Sequence, residues 1–296
     1  MRNDTGEWKE LAAVSESEFA RFQAFLASHE TTEIEVDGRS IEYSISGEGA
    51  RCALLLAGGW GGPELAYESI LGLEDMCRVL VVDVSGFGDP AGLLRAVHRV
   101  LDKVGIRRAV LIGQSMSGIL AQVLLRQDSS RIDGMVLINT IAPRKKRCRK
   151  WALPLIKVMS LSIFKRLAKK SLSKLGKYQA DVSPEIEERL KFKAAFVSHA
   201  FTRSATKAKL LNVLKQAYQL NLMDGYTQRE VENWNGRLHI ISSEDDPYFA
   251  DIELFRDAFP DLTLTLLPTG YGHIAPQVFR EEFFQDIRDF IRRLED

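Results

Sequence analysis

Four short, almost uninterrupted apolar runs constrain this chain more than any other feature: ALLLA (53–57), RVLVVDV (78–84), AVLIG (109–113) and GMVLIN (134–139). A strand with one face in water alternates apolar and polar residues, whereas a strand covered on both faces reads as a continuous apolar run. Helical patterns separate the runs, over Ala91 to Val104 and over Gly118 to Arg126. Strand and helix in alternation predict the α/β class, with a mostly parallel, doubly wound sheet. Two alternating segments, TTEIEV and SIEYSIS, precede the runs and are split by Asp37-Gly38, a hairpin-turn signature. Before them, residues 15–28 read as a helix. Ser15 and Glu18 make a capping-box pattern, and Phe19, Phe22, Phe25 and Leu26 fall on one face.

After Pro143 the alternation stops, and residues 143–233 carry helical patterns only. It resumes with RLHIISS (237–243), a helix near 251–259, LTLTLLP (262–268) and a terminal helix from about Gln277. The chain therefore divides into an N-terminal helical extension (1–30), an α/β core (31–142 and 234–296) and an inserted helical lid (143–233). Its 296 residues suffice for one large core with such an insertion.

Lys+Arg and Asp+Glu both total 40, so net charge gives no reason to expect nucleic acid. The balance hides a separation. From Arg144 to Lys177 there are 13 basic residues and no acidic one, leaving 27 basic against 40 acidic elsewhere. A basic helical face of this kind suits an anionic membrane surface or an acidic carrier protein; it also suits a solvated lid partly paired with the acidic core. The three cysteines, Cys52, Cys77 and Cys148, show no CxxC spacing, so neither a disulfide framework nor a zinc site is expected. No metal constellation, P-loop or G-x-G-x-x-G is visible, and no cofactor is expected. The N-terminus lacks a signal-peptide core, and no uncharged apolar run reaches the ~18 residues of a spanning helix. The nearest stretch, Trp151 to Phe164, is broken by Pro154 and Lys157. A soluble protein of the reducing cytoplasm is expected.

The strongest chemical signal is Gly113-Gln114-Ser115-Met116-Ser117-Gly118, between an apolar strand and a helix. A serine at such a bend projects its hydroxyl outward, and the helix N-terminus beyond it favours negative charge. Small residues are needed at the −2 and +2 positions, where backbone passes close. The plainer reading is a tight turn whose serine caps the helix. A serine nucleophile needs a base. Of five histidines, His29 ends the leading helix, His98 lies in a helix facing no obvious partner, His199 lies in the insertion and His239 in a strand. His273, in TGYGHI, follows the last strand, where open α/β sheets place their sites. The base needs a carboxylate to orient it. Ser243-Glu244-Asp245-Asp246-Pro247 follows the strand LHIIS, and Pro247 favours an extended Asp246 that leaves the loop towards the site. Glu244 and Asp245 suit capping of the next helix better. The preceding strand ends in Asn139-Thr140 and offers no carboxylate.

The order Ser115, Asp246, His273 resembles that of the α/β-hydrolase superfamily, in its lidded, esterase-like branch of serine hydrolases. The likeness runs from about residue 31 to the C-terminus. It rests on the elbow GQSMSG, the acid loop Ser243 to Asp246, the Gly272-His273 pair, and Asp83-Val84-Ser85-Gly86-Phe87-Gly88, which matches D-x-x-G-x-G. The resemblance implies catalytic Ser115, Asp246 and His273. It also implies an oxyanion hole from the backbone N–H groups of Gly59 and Met116, and a substrate pocket near Trp60, Gln114, Trp151 and Met159. The implied activity is cleavage of an ester, thioester or related acyl bond of a small hydrophobic substrate through an acyl-enzyme. Three departures stand out. Ala57-Gly58-Gly59 lacks the histidine usual before the glycine, Ser117 replaces glycine at +2, and the segment after Gly88 is short. They keep open an alternative, a non-catalytic ligand-binding or interaction protein on the same scaffold. Serine rather than aspartate at 115 argues against the haloalkane dehalogenase and epoxide hydrolase branches.

Overall fold

The computed structural model describes residues 5–57, 61–144, 158–163, 165, 166, 170, 177–204, 206–222 and 224–294. Its centre is an eight-stranded sheet: β1 (Thr32–Val36), β2 (Arg39–Ser46), β3 (Cys52–Ala57), β4 (Arg78–Asp83), β5 (Ala109–Gln114), β6 (Ile132–Ile138), β7 (Arg237–Ser242) and β8 (Thr263–Leu266). The spatial order is β1-β2-β4-β3-β5-β6-β7-β8. β1 and β2 form the expected hairpin, with Asp37 at φ 53° and Gly38 at φ 70° in the turn. β2 also runs antiparallel to β4, and every later pairing is parallel.

The apolar runs are explained by burial on both faces. In β4, Leu80 and Val82 enter one core, while Val79 and Val81 enter the other. The first core is covered by α3 (Pro90–Lys103) and α4 (Met116–Gln127). The second is covered by α1 (Glu16–Ser28), α2 (Tyr67–Leu73) and the terminal helix, Arg280–Arg293. α3 shows why its sequence is helical. Asp89 caps it by accepting the Gly92 N–H at 2.8 Å, Pro90 opens it, and Leu93, Ala96, Val97, Val100 and Leu101 make one buried stripe.

Some local expectations change. α4 starts at Met116, not Gly118, directly after Ser115. The helix near 251–259 is a 3-10 turn (Phe249–Asp251) followed by Glu253–Arg256. The terminal helix is preceded by a short one, Ala275–Val278, with a break at Phe279. Ser15 caps α1 through the Glu18 N–H at 3.2 Å, but Glu18 does not return the bond; its Oε2 is buried without a partner. Thr227 and Glu230 do form a reciprocal capping box.

Between β6 and β7 the described residues include two long helices, α5 (Pro184–Ser204) and α6 (Lys207–Leu222). α5 packs through Phe196 against aromatic residues of the N-terminal segment, with Phe192 stacked beside it. Trp8 lies 5.2 Å and Phe22 4.8 Å from Phe196, ring centre to ring centre, and Tyr67 of α2 lies 5.4 Å from it. α6 is held by a polar seam. Lys209 Nζ reaches Asp83 Oδ2 at 2.9 Å, Asn212 Nδ2 donates to Gly86 O at 2.9 Å, and Gln216 Nε2 donates to Asp89 O at 2.7 Å. Burial alone would push the Lys209 ammonium down, but the charge and hydrogen bond of Asp83, with the nearby Glu42 and Glu64 charges, together hold the pKa above that of an ordinary lysine. No helix among the described residues is long and apolar enough to cross a membrane. Most of the basic stretch 144–177, including Cys148 and Trp151, lies outside the described residues.

Candidate active site

Ser115 stands at the C-terminal end of β5 with φ 52° and ψ −114°, a conformation that non-glycine residues rarely adopt. The surroundings enforce it. Ser115 N donates to Ile138 O at 2.9 Å, and Thr140 Oγ1 donates to Ser115 O at 2.7 Å. The Ser115 side chain makes no capping bond to α4, so the plainer reading of this serine as a helix cap does not hold.

The close approaches fall at positions 113 and 118. A Cβ on Gly113 would lie 2.6 Å from Gly118 Cα, and one on Gly118 would lie 2.8 Å from the Thr140 side chain. Ser117, by contrast, is accommodated. Its hydroxyl accepts the Gln114 N–H at 3.0 Å and donates to Gln114 O at 2.9 Å. The departure from glycine at +2 therefore adds a brace across the bend, where the sequence suggests only crowding.

His273 sits in a 3-10 turn, Gly272–Ile274, after β8. Its Nδ1 lies 2.6 Å from Asp246 Oδ2, and the Asp246 side chain is fully buried. The other carboxylate oxygen, Oδ1, accepts the Tyr248 N–H at 2.7 Å. An ionised carboxylate only accepts, so it fixes the tautomer with the proton on Nδ1 and leaves Nε2 as the basic nitrogen. The Tyr248 ring stands edge-on to the imidazole at 5.6 Å. Asn139 Nδ2 donates to His273 O at 3.0 Å. Ser115 is bonded to Ile138 and His273 to Asn139, so adjacent residues at the end of β6 tether both elements. Among the described residues, no hydrogen bond joins Ser115 Oγ to His273 Nε2.

Asp245 corrects the sequence reading. It does not cap the following helix. Its Oδ2 accepts the Gly270 N–H at 2.7 Å and the Gly272 N–H at 3.0 Å, and the Ser243 hydroxyl bonds its Oδ1. Asn139 and Thr140, in which the sequence shows only the lack of a carboxylate, bond the backbone carbonyls of His273 and Ser115. Two glycines just before a candidate histidine, whose turn needs an acceptor for its N–H groups, are the sequence signal that could have pointed to Asp245.

The other histidines are engaged elsewhere. His29 Nε2 lies 2.7 Å from Glu74, and His199 lies 3.9 Å from Glu10. His239 is buried between Thr263 Oγ1 and Asp286 Oδ2, each at 2.7 Å. His98 has a partner that the sequence did not suggest, Asp128 at 3.7 Å, because the loop after α4 returns beside α3.

Of the remaining expected site residues, Met116 is half-buried at the start of α4, where N–H groups lack intrahelical partners. Gln114 Oε1 accepts from Gln277 Nε2 at 3.3 Å, and Met159 is half-buried. Gly59, Trp60 and Trp151 lie outside the described residues. Next to that loop, Glu64 Oε1 accepts the Gly62 N–H at 3.0 Å, and burial pushes the Glu64 carboxyl above its ordinary range. Among the described residues no group of three His, Cys, Asp or Glu could hold a metal ion. A cavity of about 250 Å³ lined by Arg51, Arg108, Asp133, Asn235, Arg237 and Leu294 opens at the N-terminal ends of β3, β5 and β7, the far end of the sheet from Ser115.

A model of the alpha/beta hydrolase family matches residues 53–286. The chain belongs to this family. Among solved structures, it is similar to a hydrolase from Pseudomonas aeruginosa PA01, with 19% identity, a TM-score of 0.68, and 88% of this chain and 98% of that one covered. It is also similar to a thermophilic esterase from Thermogutta terrifontis, with 17% identity, a TM-score of 0.65, and 90% and 100% covered. A membrane phospholipase A described as a bacterial virulence factor gives 17% identity, a TM-score of 0.67, and 97% and 93% covered. At these identities the likeness is one of fold. None of the curated protein sequences compared with the chain matches it.

Proposed function

We propose that the protein is a serine hydrolase acting on an ester, thioester or related acyl bond. The observation that carries this reading is the buried Asp246–His273 pair, held at the same end of the sheet as a strained Ser115 whose side chain does not cap its helix. Ser115 Oγ attacks the carbonyl carbon and its proton passes to His273 Nε2. Asp246 stabilises the imidazolium that forms. The Met116 N–H, with that of Gly59, holds the oxyanion. The imidazolium then protonates the leaving group. Water repeats the sequence on the acyl-enzyme, with His273 as base, and releases the acid. The solved structures of similar fold include proteins described as esterases, which supports acyl chemistry for this chain.

A fluorophosphonate probe tests the reading. The wild-type protein is expected to be labelled at Ser115, and Ser115→Ala and His273→Ala to lose the label. A folded wild-type protein that takes no probe and turns over no small ester sinks the hydrolase reading. The charge of the 144–177 stretch supports a second element of the proposal, docking on an anionic membrane surface or acidic carrier protein. Binding to anionic vesicles, or to an acidic carrier, that persists unchanged as salt rises would contradict it.

A further inference from the structure

We infer that Asp245 is a positioning residue for the histidine, through the Gly270–Gly272 turn that carries it. The inference rests on the serine-hydrolase reading above for its kinetic consequence, but not for its geometry. One oxygen, Asp245 Oδ2, receives two backbone N–H groups, those of Gly270 and Gly272. Both glycines have positive φ, 96° and 51°, so the turn folds its N–H groups into a small concavity. Such backbone concavities favour an anion. A carboxylate answers that field better than a neutral amide, and bonds to a charged acceptor are stronger than neutral ones.

The turn is held from its other side as well. Gly270 O accepts the N–H groups of Gln179 and Ala180 at 2.8 and 3.1 Å. His273 comes directly after Gly272, and Asn139 holds its carbonyl. The histidine backbone is thus fixed before and after the ring, and Asp246 has only the ring torsion left to set. Asp245 itself is exposed, so its three bonds are not the incidental satisfaction of a buried group. What burial it has works against its charge, yet the bonds from Ser243, Gly270 and Gly272 draw its carboxyl below the ordinary aspartate range.

The test compares Asp245→Asn and Ser243→Ala with wild type. By proton NMR, the low-field resonance of the His273 Nδ1 proton is assigned by its loss in Asp246→Ala. It is expected to broaden and exchange faster in Asp245→Asn, and to a smaller extent in Ser243→Ala. With a small chromogenic ester, Asp245→Asn is expected to lower kcat about ten-fold. KM should stay within about two-fold, with the acid limb of the kcat/KM profile moved to lower pH because the histidine loses carboxylate support. An unchanged NMR resonance overturns the inference whether or not the protein hydrolyses esters. So does a variant that only melts earlier while keeping wild-type kcat and acid limb. A wild-type protein that neither turns over ester nor takes the phosphonate removes the hydrolase reading instead, and leaves the NMR comparison to decide on Asp245.

Discussion

Ser117 and Gln114 close a two-way hydrogen-bonded bridge across the bend that carries Ser115, at 3.0 and 2.9 Å. The bridge opposes the strain of a positive-φ serine. Ser117→Ala removes both bonds and leaves the Gln114 N–H without its side-chain acceptor. A loss of roughly 1–2 kcal/mol is expected by urea denaturation. A variant as stable as wild type would show that the bridge contributes nothing.

Asp246 faces His273 from full burial, so the imidazole has no competing route to its tautomer. Asp246→Asn keeps the shape but offers an N–H where an acceptor is needed. On the proposed mechanism, kcat for a small ester falls on the order of 10³–10⁴-fold, in line with known triads. Steady-state kinetics measures this directly, and a fall below ten-fold would remove Asp246 from the role.

Asp286 gives a pH prediction. Partial burial works against its charge, but hydrogen bonds from His239 and Thr265, with the nearby His239 and Arg293 charges, hold its carboxyl below the ordinary aspartate range. A depressed carboxyl adds stability above its unfolded value of about 3.9 and loses it as pH falls through the lower folded value. The stability gap between wild type and Asp286→Asn should therefore be full at pH 6 and shrink below about pH 4. Denaturation curves across that range check it, and a gap that widens on acidification contradicts it.

Trp8 joins the N-terminal segment to α5 through Phe196 and to α1 through Phe22 at 5.1 Å. It is buried, so Trp8→Ala leaves a cavity between three elements. A loss of about 3 kcal/mol is expected from chemical denaturation. A change under about 0.5 kcal/mol, typical of surface positions, would mean that the segment does not brace the insertion.

The parallel sheet was legible because double-sided burial writes itself as unbroken apolar runs. The bend at Ser115 and the position of His273 after the last strand were legible because both depend on local sequence at strand ends. Asp245 was not, since its meaning lies in two N–H groups some 25 positions away in sequence. The pairing of His98 with Asp128 was hidden for the same reason. The phenylalanines of α1 announced a buried face, but nothing in their spacing could say that α5 and Trp8 would cover it.

That covering also has a history in time. Trp8 is made nearly 190 positions before Phe196. At about 5–20 residues per second, the gap is roughly 10–40 s. Throughout that interval Phe19, Phe22 and Phe25 have no finished partner surface. During synthesis the aromatic face of α1 therefore stays partly uncovered until the residues around Phe196 have been made.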